Sequence, residues 1–170
     1  ATELYQDKRY YLRKERRILQ TNQMVDALAK LVEAYPLISI EDPLAEDDWE
    51  GWQALTARIG DRVKVIGDDL TVTNPLRLQQ AIDAKAINAI IVKPNQIGTL
   101  TETVETMELA DAHGLMTVVS DRGGGDTNDA YIVDLAVAMG AAYLKVGVSR
   151  GERVIKYNRL TEIDAEGNHA

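Results

Sequence analysis

Ala89-Ile90-Ile91-Val92 runs straight into Lys93, so a short, wholly apolar stretch ends in a single charge. A run that short and that apolar suits a strand buried on both faces, as in a parallel sheet covered by helices. The same design recurs on either side. Leu37-Ile38-Ser39-Ile40 ends in Glu41, and Val63-Lys64-Val65-Ile66-Gly67 ends in Asp68. Met116-Thr117-Val118-Val119-Ser120 ends in Asp121-Arg122, and Ala142-Tyr143-Leu144 in Lys145. The successive charges lie 27, 25, 28 and 24 residues apart, the length of one strand plus one crossover helix. In a (β/α) barrel every strand aims its C-terminal end at one face. The spacing therefore predicts an α/β fold, a partial TIM-type (β/α) barrel of about five βα units. Glu41, Asp68, Lys93, Arg122 and Lys145 would then converge above an apolar core.

Between the strands the pattern turns helical. Met24, Val25, Leu28, Leu31, Val32 and Tyr35 recur at three and four residues, with Thr21 or Asn22 as the cap and Pro36 forcing the exit. Asp47-Asp48-Trp49-Glu50 opens a helix closed by Gly60, and Asn74-Pro75 starts another. Thr99 to Glu102 matches a capping box before a helix ended by Gly114. Asn128 or Asp129 should open the next helix, and the last should run from about Gly151 to Leu160, with a frayed tail from Asp164.

The chain has 170 residues, 45% hydrophobic and 27% charged, which suits one globular domain with a substantial core. A net charge of −8 argues against nucleic acid or an anionic membrane as the main partner. Lys8, Arg9, Arg13, Lys14, Arg16 and Arg17 form the one basic cluster, which reads as the solvated face of an N-terminal hairpin. Without cysteine there is no disulfide, thiolate metal site or cysteine nucleophile. No stretch approaches the ~18 apolar residues of a membrane span, and no signal peptide is evident. Five βα units do not close a barrel of eight strands, and an open sheet of five leaves two apolar edges. Either the sheet is an open, doubly wound one, or residues 1–170 are the C-terminal part of a larger barrel domain. The second is the expectation, with the first barrel elements and an N-terminal domain lying outside these residues.

Glu41 and Asp68, two carboxylates at neighbouring strand ends with no histidine or cysteine nearby, suit a hard, oxygen-loving cation such as Mg²⁺. Salt bridges to Lys93 or Lys145 are an equal reading of the same spacing. Asp42 and Asp69 should point away by strand alternation. Lys93, at the end of an apolar strand and with Lys145 near, is expected to serve as a neutral amine that takes a proton. Arg122, followed by Gly123-Gly124-Gly125, suits an anion such as phosphate. Metal, lysine base and anion grip together describe abstraction of a proton next to a carboxylate.

Longer motifs point to one family. Ser39-Ile40-Glu41-Asp42-Pro43, Gly67-Asp68-Asp69-Leu70-Thr71-Val72-Thr73-Asn74, Lys93-Pro94-Asn95-Gln96-Ile97-Gly98-Thr99-Leu100 and Arg150-Gly151-Glu152-Arg153 with Lys156-Tyr157-Asn158 closely resemble enolase, the 2-phosphoglycerate dehydratase. The resemblance covers Ala1 to about Ile163. It implies an enolase-like C-terminal barrel portion of a cytoplasmic, homo-oligomeric lyase of glycolysis and gluconeogenesis. In such an enzyme Glu41 and Asp68 ligate Mg²⁺, and Lys93 is the general base. Lys145 steadies the enolate and the substrate carboxylate. Lys93, Asp121, Arg122, Gly123 and Lys145 meet the substrate, a small phosphorylated carboxylate, with Arg122 on its phosphate. A third metal aspartate, acid-side glutamates and a capping loop would lie upstream, so these residues alone are expected to be inactive.

Three departures stand out. Where enolases read Ser-His-Arg-Ser-Gly-Glu, this chain has Ser120-Asp121-Arg122-Gly123-Gly124-Gly125. Asp121 thus brings negative charge beside an anionic substrate, and Gly123 lacks a phosphate donor worth about 1–3 kcal/mol. Pro94 follows Lys93 in place of an ordinary apolar residue. An enolase-superfamily paralogue acting on another phosphorylated, phosphonate or 2-hydroxy acid therefore remains the alternative, with a non-catalytic scaffold as a third reading.

Overall fold

The computed structural model describes residues 1–121, 127–148 and 150–167. A small antiparallel sheet comes first: β1 (Tyr5–Gln6), β2 (Arg9–Leu12) and β3 (Arg17–Leu19). The six basic residues of the cluster are all exposed on it, as expected of a solvated hairpin face. Next come α1 (Thr21–Ala34), β4 (Ser39–Glu41), α2 (Trp49–Ile59), β5 (Lys64–Gly67), α3 (Pro75–Asp83) and β6 (Ala89–Val92). The one-turn α4 (Pro94–Ile97), α5 (Leu100–Ala112), β7 (Met116–Ser120), α6 (Tyr131–Ala138), β8 (Tyr143–Lys145) and α7 (Gly151–Gly167) complete the order.

Strands β4 to β8 form one sheet of five in sequence order, every neighbouring pair parallel, the arrangement the repeat spacing predicts. The sheet curls into a half-barrel. Neighbouring strands lie ~4.8 Å apart, so four steps across a flat sheet would separate β4 and β8 by roughly 19 Å. Yet Lys145 Nζ donates to both Glu41 carboxylate oxygens, at 2.7 and 2.6 Å, across 104 residues of chain. Only a strongly curved sheet brings those strand ends together.

Alternation along the strands sorts side chains into two cores. On the convex side Val65, Ile90, Val92 and Val119 pack with Trp52, Leu55, Leu78 and Met107 of the helices. On the concave side Ile66, Ala89, Ile91 and Val118 form a second cluster with Met116 against it. Ile66, Ile91, Met116 and Val118 line a concave cavity of about 400 Å³ that Glu41 and Lys145 also border.

Helix boundaries depart from expectation where side chains have other engagements. Helix α1 is capped by Gln20, whose amide donates to Gln23 Oε1 at 2.9 Å, because the Thr21 hydroxyl donates instead to Asp48 at 2.8 Å. Helix α6 starts at Tyr131, later than Asn128 or Asp129 would place it, and Asp129 accepts from the Thr127 hydroxyl. Helix α7 runs on to Gly167, past the expected end, where Arg159 pairs with Glu162 and Glu166. The caps at Asp48, Asn74 and Thr99 are as expected.

Candidate active site

Each strand of the large sheet delivers one polar residue to its C-terminal rim. Glu41 and Lys145 are the last residues of β4 and β8, and Asp68 and Lys93 directly follow β5 and β6. Glu41 and Lys145 continue the inward-facing series of their strands, level with the concave cavity they help to line. Ser120 pairs in register with Lys145, and Val92 with Val119, which sets Lys93 level with Ser120. The two lysines therefore share one rung of the inner face.

The four charges form two ion pairs. Lys145 bridges to Glu41, half-exposed, and Lys93 bridges to Asp68 in a far drier setting, the side chains 13% and 9% exposed. The salt-bridge reading of the spacing is the one seen, each rim acid being neutralised by a rim lysine. Asp68 also accepts from Gln96 Nε2 at 3.4 Å.

A supporting shell escaped the sequence reading. The Lys93 amide donates to Thr73 Oγ1 at 2.9 Å, and that hydroxyl donates on to Gln96 Oε1 at 3.1 Å. Thr106 Oγ1 in turn donates to the Thr73 carbonyl at 3.0 Å. Thr73 and its neighbour Val72 have φ of 56° and 45°, a left-handed backbone costly for β-branched residues. The strained turn aims the Thr73 hydroxyl at Lys93. Gln96 was visible only as a member of the Lys93-to-Leu100 motif.

Asp42 does not turn away from the site. Its φ of 42° breaks the strand alternation, and its carboxylate accepts from the amides of Asp68 at 2.9 Å and Asp69 at 3.0 Å. Burial pushes this carboxyl above its ordinary range, while the two amides pull the other way. Carboxylate oxygens of Asp42, Asp68 and Asp69 lie within 4.8 Å of one another. Such an all-oxygen donor set suits a hard divalent cation. It differs from the expected pair: Asp68 belongs to it, whereas Glu41 does not and is paired with Lys145.

Asp121 faces the other way. One step beyond inward-facing Ser120, it meets α7, where its Oδ2 lies 3.5 Å from Nζ of Lys156. Arg122 and Gly123, with Gly124 and Gly125, lie outside the described residues. The structure thus brings Glu41, Asp68, Lys93 and Lys145 together at the rim and sets Asp121 apart.

Comparison with known proteins identifies the family. The family described as "Enolase, C-terminal TIM barrel domain" matches residues 1–170. A protein named Enolase from Rubrobacter xylanophilus is 53% identical over 165 residues, covering 96% of this chain. The chain spans 38% of that relative's length. On the curled parallel sheet, the rim residues and this likeness together, the chain belongs to the enolase C-terminal TIM-barrel domain family.

Proposed function

We propose that the protein carrying this chain is an enolase, a Mg²⁺-dependent lyase that interconverts 2-phosphoglycerate and phosphoenolpyruvate in glycolysis and gluconeogenesis. The observation that carries the reading is the dry Lys93–Asp68 pair at the rim of adjoining strands, where a base and a metal ligand share one contact. Glu41 and Asp68 would hold the cation, with Asp42 fixing the backbone of Asp68 from behind. A cation held there would supply positive charge to offset the negative charge that develops on proton abstraction.

Lys93 removes the proton from C2 of the substrate, so the C2–H bond breaks and the proton moves to Nζ. The C2 electron pair then forms the C2–C3 double bond as the C3 hydroxyl leaves as water. The extra proton of that water comes from an acid outside these residues, where the resemblance to enolase puts the acid-side glutamates. For Lys93 to act, its amine must leave Asp68, and a cation held by that carboxylate would take the place of the lysine. Lys145, level with Lys93, stabilises the developing enolate, while Arg122 and Gly123 serve the phosphate end. Asp121, paired with Lys156, does not lend its charge to the rim, which supports the enolase reading over the paralogue. No helix among the described residues is long and apolar enough to cross a membrane; the cytoplasmic location proposed here rests on the likeness to enolase.

The test is 2-phosphoglycerate dehydration by the full-length gene product, followed by absorbance of the enol product, with Mg²⁺ and after chelation. Metal-dependent turnover at an ordinary enzyme rate supports enolase. A folded protein that binds Mg²⁺ yet turns over only another 2-hydroxy or phosphonate acid supports the paralogue.

A further inference from the structure

Lys156 is buried to 1% exposure on α7, an unusual place for an ammonium group. It has three donors. One reaches the Thr127 carbonyl at 2.8 Å and one the Glu152 carbonyl at 3.1 Å. Its remaining side faces Asp121 Oδ2 at 3.5 Å, a buried oxygen with no hydrogen-bond partner among the described residues. Asp121 immediately follows β7, and Thr127 is the first described residue beyond Arg122–Asp126. One ammonium therefore holds the chain on both sides of the segment that bears Arg122.

The neighbourhood connects this pair to the rim. A cavity of about 140 Å³ lies against it, bordered by Pro94 and Asn95, which follow Lys93, and by Ser120 and Asp129. A buried ion pair is a poor source of stability, since apolar groups of like volume often serve as well. Its value here is geometric.

We propose that Lys156 is a positioning residue for the reaction, acting through Asp121. The pair sets where the chain leaves β7 and hence where Arg122 is attached, and Asp121 serves as counter-ion to Lys156 instead of touching substrate. The inference rests on the enolase reading for its kinetic consequence but not for its geometry.

The test uses the full-length protein with Lys156→Met, Asp121→Asn, both together, and Lys156→Arg. Hydrogen exchange followed by mass spectrometry should show amides at Asp121 and Thr127 exchanging at least tenfold faster in Lys156→Met, with α2 and α3 unchanged. The double variant should exchange no faster than Lys156→Met alone, and Lys156→Arg should recover most of the protection. In the dehydratase assay, KM for 2-phosphoglycerate should rise at least tenfold while kcat and Mg²⁺ affinity change less than threefold. Uniform acceleration across the protein, or multiplying effects in the double variant, would overturn the proposal. So would faster local exchange with an unchanged KM in an active enzyme. Wild-type protein without turnover defeats the enolase reading alone, and the exchange result then decides the role of the pair.

Discussion

Replacing Asp48 with alanine should destabilise the protein at a point that also supports the candidate site. Asp48 is buried and accepts three hydrogen bonds: from Tyr10 Oη at 2.6 Å, Thr21 Oγ1 at 2.8 Å and the Gly51 amide at 3.2 Å. It thereby joins the N-terminal hairpin, α1 and α2. Tyr10 also accepts from the Ala45 amide, and Trp52 Nε1 donates to the Ala45 carbonyl at 2.9 Å, so the connection leading away from Glu41 is pinned from both sides. Losing the α2 cap costs about 1 kcal/mol. Leaving the fully buried Tyr10 hydroxyl without an acceptor costs about 1–3 kcal/mol more. Thr21 is half-exposed and can turn to water. The sum, about 2–4 kcal/mol, corresponds to a melting temperature lower by roughly 5–15 °C for a domain of this size. Thermal unfolding of Asp48→Ala, Tyr10→Phe and the double variant measures it. Because Tyr10→Phe removes the orphaned hydroxyl, the double variant should be less destabilised than the sum by about 1–3 kcal/mol. A change in Asp48→Ala below about 0.5 kcal/mol, or strict additivity, would refute the reasoning.

Four further outcomes follow from the same geometry. Glu41→Gln should change stability by less than about 1 kcal/mol, since its pair with Lys145 is half-exposed. The same substitution should weaken Mg²⁺ binding, measured by calorimetry, by at least about tenfold. Thr73→Val takes the acceptor from the Lys93 amide and should lower kcat by roughly 10–100-fold with little change in KM, because the base is displaced. Burial, reinforced by the hydrogen bond to Asp48, pushes the Tyr10 phenol above its ordinary value of 10.0. The unfolded chain ionises there while the folded one stays neutral, so stability should fall as pH rises past 10.0, and Tyr10→Phe should flatten that decline in an alkaline denaturation series.

The repeating frame was legible because buried parallel strands are apolar runs, and crossover helices hold their spacing nearly constant. Ala89 to Val92 and Met116 to Ser120 are strands with the boundaries their composition marks. The rim charges were legible for the same reason, since they end the runs. Which acid meets which lysine was not, because the Glu41–Lys145 contact depends on how far the sheet curls. Asp42 defeated the alternation rule through a single positive φ, which no local sequence signal announced. Lys156 was visible only as a member of the motif from Arg150 to Asn158, and its burial was not. It shares the inward stripe of α7 with the charged Glu152 and Arg159 as well as Ile155 and Ile163, and a charge on a mixed stripe reads from sequence as solvated. Asp121 could have been placed by extending the alternation of β7 one residue past Ser120.

The most direct measurement of the account is exchange of the C2 proton of 2-phosphoglycerate with solvent deuterium, in the full-length protein with Mg²⁺. It reads proton abstraction without requiring the later steps. Wild-type protein should incorporate deuterium at C2, and Lys93→Ala should lose that exchange by at least about a hundredfold while still binding Mg²⁺ and remaining folded. Exchange that persists in folded Lys93→Ala at the wild-type rate would contradict the assignment of Lys93 as the base.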